Sequence, residues 1–122
     1  MERFSIRPGY GSDVLLVEFL GDHRGDGYPP VGALLAEALG AAAAPMSALD
    51  RELALASDGL ISKWRYAGGE YEIDDDGWSL FILAPTNNQA VMADIERALI
   101  ASERFVKQPV DFAKYQKGPE EP

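Results

Sequence analysis

The sequence predicts an α+β fold: a single domain with a mostly antiparallel sheet and two main amphipathic helices on one of its faces. Three observations carry that prediction. Apolar residues recur at helical spacing in two stretches, about 31–44 and about 87–102. Three strand-length segments between about 60 and 84 are separated by Gly68-Gly69 and Asp76-Gly77, the turn signals of an antiparallel meander. The chain is 122 residues long, 47% hydrophobic and 25% charged, which is ordinary globular composition and enough for one core. The domain is expected to span 1–116. The remainder, 117–122, holds two prolines and two acids with no apolar residue and reads as a disordered tail.

At the start, Phe4 and Ile6 alternate with polar residues as in a short strand, and Pro8-Gly9-Tyr10-Gly11 follows as a turn. Val14-Leu15-Leu16-Val17 is a continuous apolar run, the pattern of a strand covered on both faces. Gly21 to Pro30 is rich in Gly, Pro and charge and must be a surface loop. From Val31 the period changes: Val31, Leu34, Leu35, Ala38, Leu39 and Ala42 line one helical face. Pro29-Pro30 suits its start and Pro45 its end, with Gly40 a weak point inside it. Ser47 to Ser57 predicts a second, short helix, stopped by Asp58-Gly59.

Leu60 to Tyr66, Glu70 to Asp74 and Trp78 to Ala84 form the predicted meander. With Gly68-Gly69 as a two-residue turn, Tyr66 faces Tyr71 and Trp64 faces Ile73. On the other face Arg65 meets Glu72 and Lys63 meets Asp74. With Asp76-Gly77 as the second turn, Ile73 pairs with Leu80 and Tyr71 with Ile82. Thr86 followed by Gln89 reads as a capping box for the last helix, whose buried stripe is Val91, Met92, Ile95, Ala98 and Leu99. Phe105-Val106-Lys107 is a short strand limited by Pro109. Val110, Phe112 and Tyr115 are expected to pack back on the domain.

Composition excludes more functions than it selects. Cysteine is absent, which removes disulfides, thiolate metal sites and Cys nucleophiles. Eleven basic against 20 acidic residues give a net charge of −9, so no nucleic-acid partner and no anionic membrane is expected. No apolar run reaches the length of a membrane span and none marks a leader, so the expected location is cytoplasmic.

The chemistry-bearing residues are sparse. His23 is the one histidine; it lies in Gly21-Asp22-His23-Arg24-Gly25-Asp26-Gly27 and predicts a solvated loop imidazole. Arg24-Gly25-Asp26 matches an adhesion tripeptide by chance. No Gly-x-Ser-x-Gly elbow and no phosphate-binding glycine loop occurs. Asp74-Asp75-Asp76-Gly77 lacks the alternate spacing of a calcium loop and reads as a solvated hairpin end. Trp64, Tyr66, Tyr71 and Trp78 are expected to pack in the core beneath the helices. No catalytic residue, metal ligand or cofactor site is assigned.

The leading functional expectation is a small acidic protein-interaction module, similar in general character to toxin-neutralising (immunity) proteins of bacteria. The expected interaction face is the second sheet face, with Phe81 and Leu83 as an apolar centre and Lys63, Arg65 and Glu72 as its charged rim. Its partner is a basic protein or a second copy in a homodimer. The alternative is a small-molecule binder or enzyme with a cleft near the 21–30 loop.

Overall fold

Alternation along each strand decides which residues meet the helices. A computed structural model describes residues 1–9, 11–44 and 60–113. Its elements in chain order are β1 (Glu2–Pro8), β2 (Leu15–Phe19), α1 (Val31–Leu39), β3 (Ala42–Ala43), β4 (Leu60–Tyr66), β5 (Gly69–Asp75), β6 (Leu80–Leu83), α2 (Asn88–Ala101) and β7 (Phe105–Lys107). The strands form a seven-stranded sheet in the order β3-β4-β5-β6-β2-β1-β7. All neighbours are antiparallel except β1 and β7. This is the α+β arrangement predicted, and both edge strands are very short, which limits edge-to-edge pairing.

One sheet face carries Phe4, Ile6, Val17, Phe19, Tyr71, Ile73, Leu80 and Ile82, all buried. Val31 and Leu35 of α1 and the stripe Val91, Met92, Ile95, Ala98 and Leu99 of α2 close over them. Burying each large aliphatic side chain contributes about 1.5–3 kcal/mol, so this layer dominates the stability.

The register of the meander differs from the expected one by two residues in both hairpins. Trp64 stands opposite Tyr71, Arg65 opposite Glu70 and Lys63 opposite Glu72. Ile73 stands opposite Ile82, and Asp75 opposite Leu80. A two-residue shift preserves the face of every side chain, so the apolar and charged sets stay apart as predicted. The cause lies in the turns. The first loop is Ala67-Gly68, and Gly69 takes the positive φ of +147°. Gly68 is needed for close approach: a Cβ there would stand 2.7 Å from Tyr66 Cε2 and 2.8 Å from Asp94 Oδ2. The second turn is longer. Asp76 accepts from the Trp78 and Ser79 N–H groups and from the Ser79 hydroxyl, which holds 76–79 out of the ladder. Trp78 is therefore not a core residue; it is 95% exposed.

Three further expectations are corrected. First, α1 stops at Leu39 because Gly40 adopts φ +66° and caps it, with the Gly40 and Ala41 N–H groups donating to the Ala36 carbonyl. Ala42 and Ala43 then become β3 instead of a last helical turn. Second, the capping box does not form: the N-cap of α2 is Asn87, itself at φ +52° with no side-chain cap. Third, β2 is not covered on both faces by described elements; Val14 is 55% exposed and Leu16 half-buried on the helix-free face. Phe112 is 42% exposed and, with the half-buried Val110, lines a groove beside Ile6. Tyr115, the expected 47–57 helix and the 117–122 tail lie outside the described residues.

Asn88, at the first position of α2, ties the helix to the sheet. Its amide nitrogen donates to the Leu15 and Ala84 carbonyls at 2.8 and 2.9 Å, and its Oδ1 accepts from the Leu15 N–H at 2.9 Å. The side chain thus pairs with Leu15 as a neighbouring strand would, where β2 begins and β6 has ended. Asn88→Ala leaves three backbone groups without that partner and is expected to cost about 1–3 kcal/mol. A urea melt of this variant that matches wild type would contradict the role. Gly68→Ala is expected to cost about 1–3 kcal/mol as overpacking. It should also cost more than Tyr66→Phe, which removes only the 2.6 Å hydrogen bond from Tyr66 to Asp94. Equal melts for G68A and wild type would show that the turn has room.

Candidate functional site

The residues expected to form an interaction face do lie on the helix-free side of the sheet, in two cross-strand rows. One row runs Ser5, Glu18, Phe81, Asp74, Ile61. The next runs Arg7, Leu16, Leu83, Glu72, Lys63. Leu16, Phe81 and Leu83 therefore form a half-buried apolar strip, bordered by Arg7 and Glu18 on one side and by Asp74, Glu72 and Lys63 on the other. Arg65 is one row away from the strip, at a corner with Glu70, to which its guanidinium reaches at 3.4 Å. At one end the strip opens into a groove of about 420 Å³ lined by Val14, Leu16, Glu72, Leu83 and Pro85 among others.

Electrostatics across this face are uneven. Arg7 Nε holds Glu18 Oε1 at 2.9 Å, and its guanidinium lies over the Phe81 ring, 5.8 Å from the centroid. Asp74, between Ile61 and Phe81, has no ion-pair or hydrogen-bond partner among the described residues. Burial raises its carboxyl above the ordinary range, and the Asp76 and Asp75 charges add to that. Leu16, Glu18 and Arg7 were not anticipated as part of the face. Strand parity held the signal, because Phe4 and Ile6 point to the core and so Arg7 points away.

The 21–30 loop forms a second site. His23 is not solvated: its side chain is 6% exposed, and Nε2 lies 2.9 Å from Asp75 Oδ1. Arg24 reaches the same oxygen at 3.1 Å, and the Gly77 N–H donates to it at 3.0 Å. Tyr28 donates to the Leu20 carbonyl at 2.9 Å, and burial with the nearby Glu2 charge pushes its phenol up to about 12. The loop is thus pinned to the β5–β6 turn. It leaves a cleft of about 300 Å³ against the start of α1.

Asp74, Asp75 and Asp76 have separate environments. Asp75 is partly buried, which pushes its carboxyl up, but the hydrogen bonds from His23, the Gly77 N–H and Arg24 outweigh this and hold it below the ordinary range. Asp76 is lowered by the turn N–H groups of Ser79 and Trp78. Among the described residues no group of three or more His, Asp and Glu side chains is placed to hold a metal ion. No described helix is long and apolar enough to cross a membrane.

Comparison with known proteins returned nothing: no family model, no curated protein and no solved structure matches the chain.

The opposite shifts of Asp74 and Asp75 give stability effects of opposite sign. For Asp75, lowered on folding, the stabilisation is full above the unfolded value near about 4 and is lost as pH falls through the lower folded value. For Asp74, raised on folding, the penalty is full above the folded value and is relieved as pH falls toward the unfolded one. At pH 7, Asp75→Asn should lower the urea midpoint and Asp74→Asn should raise it. Both differences from wild type should shrink in acid, that for Asp74 first. Shifts of the same sign at pH 7 would contradict the two environments.

Proposed function

We propose that this domain is a cytosolic protein-binding module that docks a basic partner on the helix-free face of its sheet. The observation that carries this reading is Asp74, a partly buried carboxylate with no ion-pair partner among the described residues, set beside an apolar strip. A cationic side chain from a partner, placed over Phe81 and beside Asp74, would supply the missing charge while the partner covers Leu16 and Leu83. The net charge of −9 supports the sign of that partner, since an acidic surface speeds encounter with a basic one. The apolar centre with a charged rim is how interaction surfaces are built. Toxin neutralisation is one role such a module serves.

The test compares wild type with Phe81→Asp and Leu83→Asp as bait in a lysate, after circular dichroism has shown that both variants keep the fold. Basic proteins retained by wild type should be lost from both variants, each substitution costing about 2 kcal/mol or more of binding as a central contact. They should also elute from wild type with rising salt. An identical set of proteins on all three baits would overturn the proposal. Light scattering that shows a dimer broken by Phe81→Asp would replace the basic partner with a second copy.

A further inference from the structure

The docking face carries a short repeat that limits what can lie on it. Along the β5–β6 hairpin, acids of one strand stand directly opposite apolar residues of the other: Glu72 opposite Leu83, and Asp74 opposite Phe81. The two pairs are two residues apart on each strand, a step of about 6.8 Å. Beyond Asp75 and Leu80 the ladder ends and the hairpin closes, with the Asp76 N–H donating to the Ser79 carbonyl at 3.2 Å. The turn adds a third acid and a third apolar group, Asp76 and the exposed Trp78.

Trp78 is the largest apolar side chain that the described residues leave in solvent. The turn does not need it. Asp76 Oδ1 accepts from the Trp78 and Ser79 N–H groups at 2.9 and 2.7 Å, and Asp75 Oδ1 accepts from the Gly77 N–H at 3.0 Å. The indole is thus presented on a fixed backbone without serving the core, and Trp is among the side chains that contribute most when a partner covers them. Asp76 Oδ2 accepts only the Ser79 hydroxyl among the described residues, at 3.0 Å. The chain itself shows how an acid and a ring act together on this face. Arg7 pairs with Glu18 at 2.9 Å and lies over Phe81, 5.8 Å from the ring centroid. A guanidinium is planar, so it stacks on a ring while its N–H groups hold a carboxylate.

We infer that the partner binds through an extended segment with arginines at alternate positions, laid along the β5–β6 hairpin so that successive guanidiniums meet Glu72 with Leu83, Asp74 with Phe81, and Asp76 with Trp78. This rests on the helix-free face being the docking surface, and it names the element of the partner that the face receives. An extended chain has the same rise as the strands beneath it, so every second side chain keeps step with the pairs. An α-helix advances about 6 Å in four residues and falls behind at each step. Lysine would bring the charge but not the stacking. Charge complementarity selects this occupant: the chain carries −9, and Asp74 has no ion-pair partner among the described residues. The segment docks by its side chains and adds no strand, because β5 and β6 are interior strands with a neighbour on each side.

The probes are two capped synthetic peptides of identical composition, one alternating arginine with threonine and one with its arginines in a single block. Each is titrated into the intact protein at low salt and followed by the backbone amide and indole N–H signals in NMR. The alternating peptide should give saturable shifts along β5, β6 and their turn. The Trp78 indole should move, and the Trp64 indole, bonded to Ser62 on the helix side, should not. The block peptide, equal in charge, should bind about fivefold more weakly, since each exposed ion pair out of register forfeits a factor of about 1.5 to 5. Trp78→Ala and Asp74→Asn should each weaken the alternating peptide about twofold or more and leave the block peptide unchanged. The Trp78 side chain is 95% exposed and Asp74→Asn relieves a burial penalty, so both variants keep the fold. Equal affinity for the two peptides, shifts confined to other parts of the chain, or affinity unchanged in both variants overturns the inference. The bait experiment separates this failure from that of the docking face. Basic proteins lost from Phe81→Asp and Leu83→Asp, together with equal peptide affinities, leave the face standing and remove the extended arginine segment; identical baits remove both.

Discussion

The line along which α2 lies on the sheet is the constraint from which the rest of the structure follows. Its stripe of Val91, Met92, Ile95, Ala98 and Leu99 is wholly buried, and its first residue, Asn88, bonds to the backbone of Leu15 and Ala84. The β4–β5 turn reaches the same helix from the other direction. Tyr66 donates to Asp94, Asn87 donates to the Gly68 carbonyl, and a Cβ at Gly69 would stand 3.0 Å from Val91 Cγ2. Moving α2 would break the hairpin turn, the start of β2 and the core together. These contacts place α2 on one side of the sheet, and α1 packs beside it. The opposite side is then left without a described helix, which is the origin of the candidate docking face.

That division of labour between faces explains a buried cost as well. Tyr71 is buried on the helix side with a hydroxyl that has no hydrogen-bond partner in the described structure, and burial pushes it up to about 12. Its ring meets Tyr66 edge-on, with centroids 6.1 Å apart. Packing at this point outweighs polar satisfaction, since aromatic burial contributes more than a single neutral hydrogen bond. Tyr66 differs because its hydroxyl extends to Asp94 at the edge of the helix layer.

Much of the fold was legible in the sequence because period-two alternation marks faces without reference to register. Trp64, Tyr66, Tyr71 and Ile73 fell on one side, and Lys63, Arg65, Glu72, Phe81 and Leu83 on the other, even though both hairpins are paired two residues from the expected register. The registers were not legible because turn glycines and aspartates serve two purposes. Gly68 looked like a turn residue chosen for backbone freedom, whereas it is also the only residue that fits beneath the Tyr66–Asp94 contact. Gly40 looked like a flaw within a helix and is its cap. His23 was the largest miss, and no local pattern could have revealed it, since its partner Asp75 lies 52 residues further along the chain.

The acidic run at the end of β5 shows how one stretch of sequence supplies both candidate sites. Strand alternation sends Asp74 to the helix-free face and Asp75 to the helix side, and the chain leaves the ladder at Asp76. Asp74 stands between Ile61 and Phe81 and gives the candidate docking face a carboxylate with no ion-pair partner among the described residues. Asp75 holds His23 and Arg24 and so forms part of the wall of the cleft beside the 21–30 loop. Asp76 binds the turn N–H groups and makes the corner rigid. Because the three carboxylates are joined by one short backbone, their charges act on one another: Asp75 and Asp76 both raise Asp74. Of these two neighbours only Asp75 pins the 21–30 loop, through His23 and Arg24. The two candidate sites therefore meet at one strand end, with Asp74 on the helix-free face and Asp75 on the helix side.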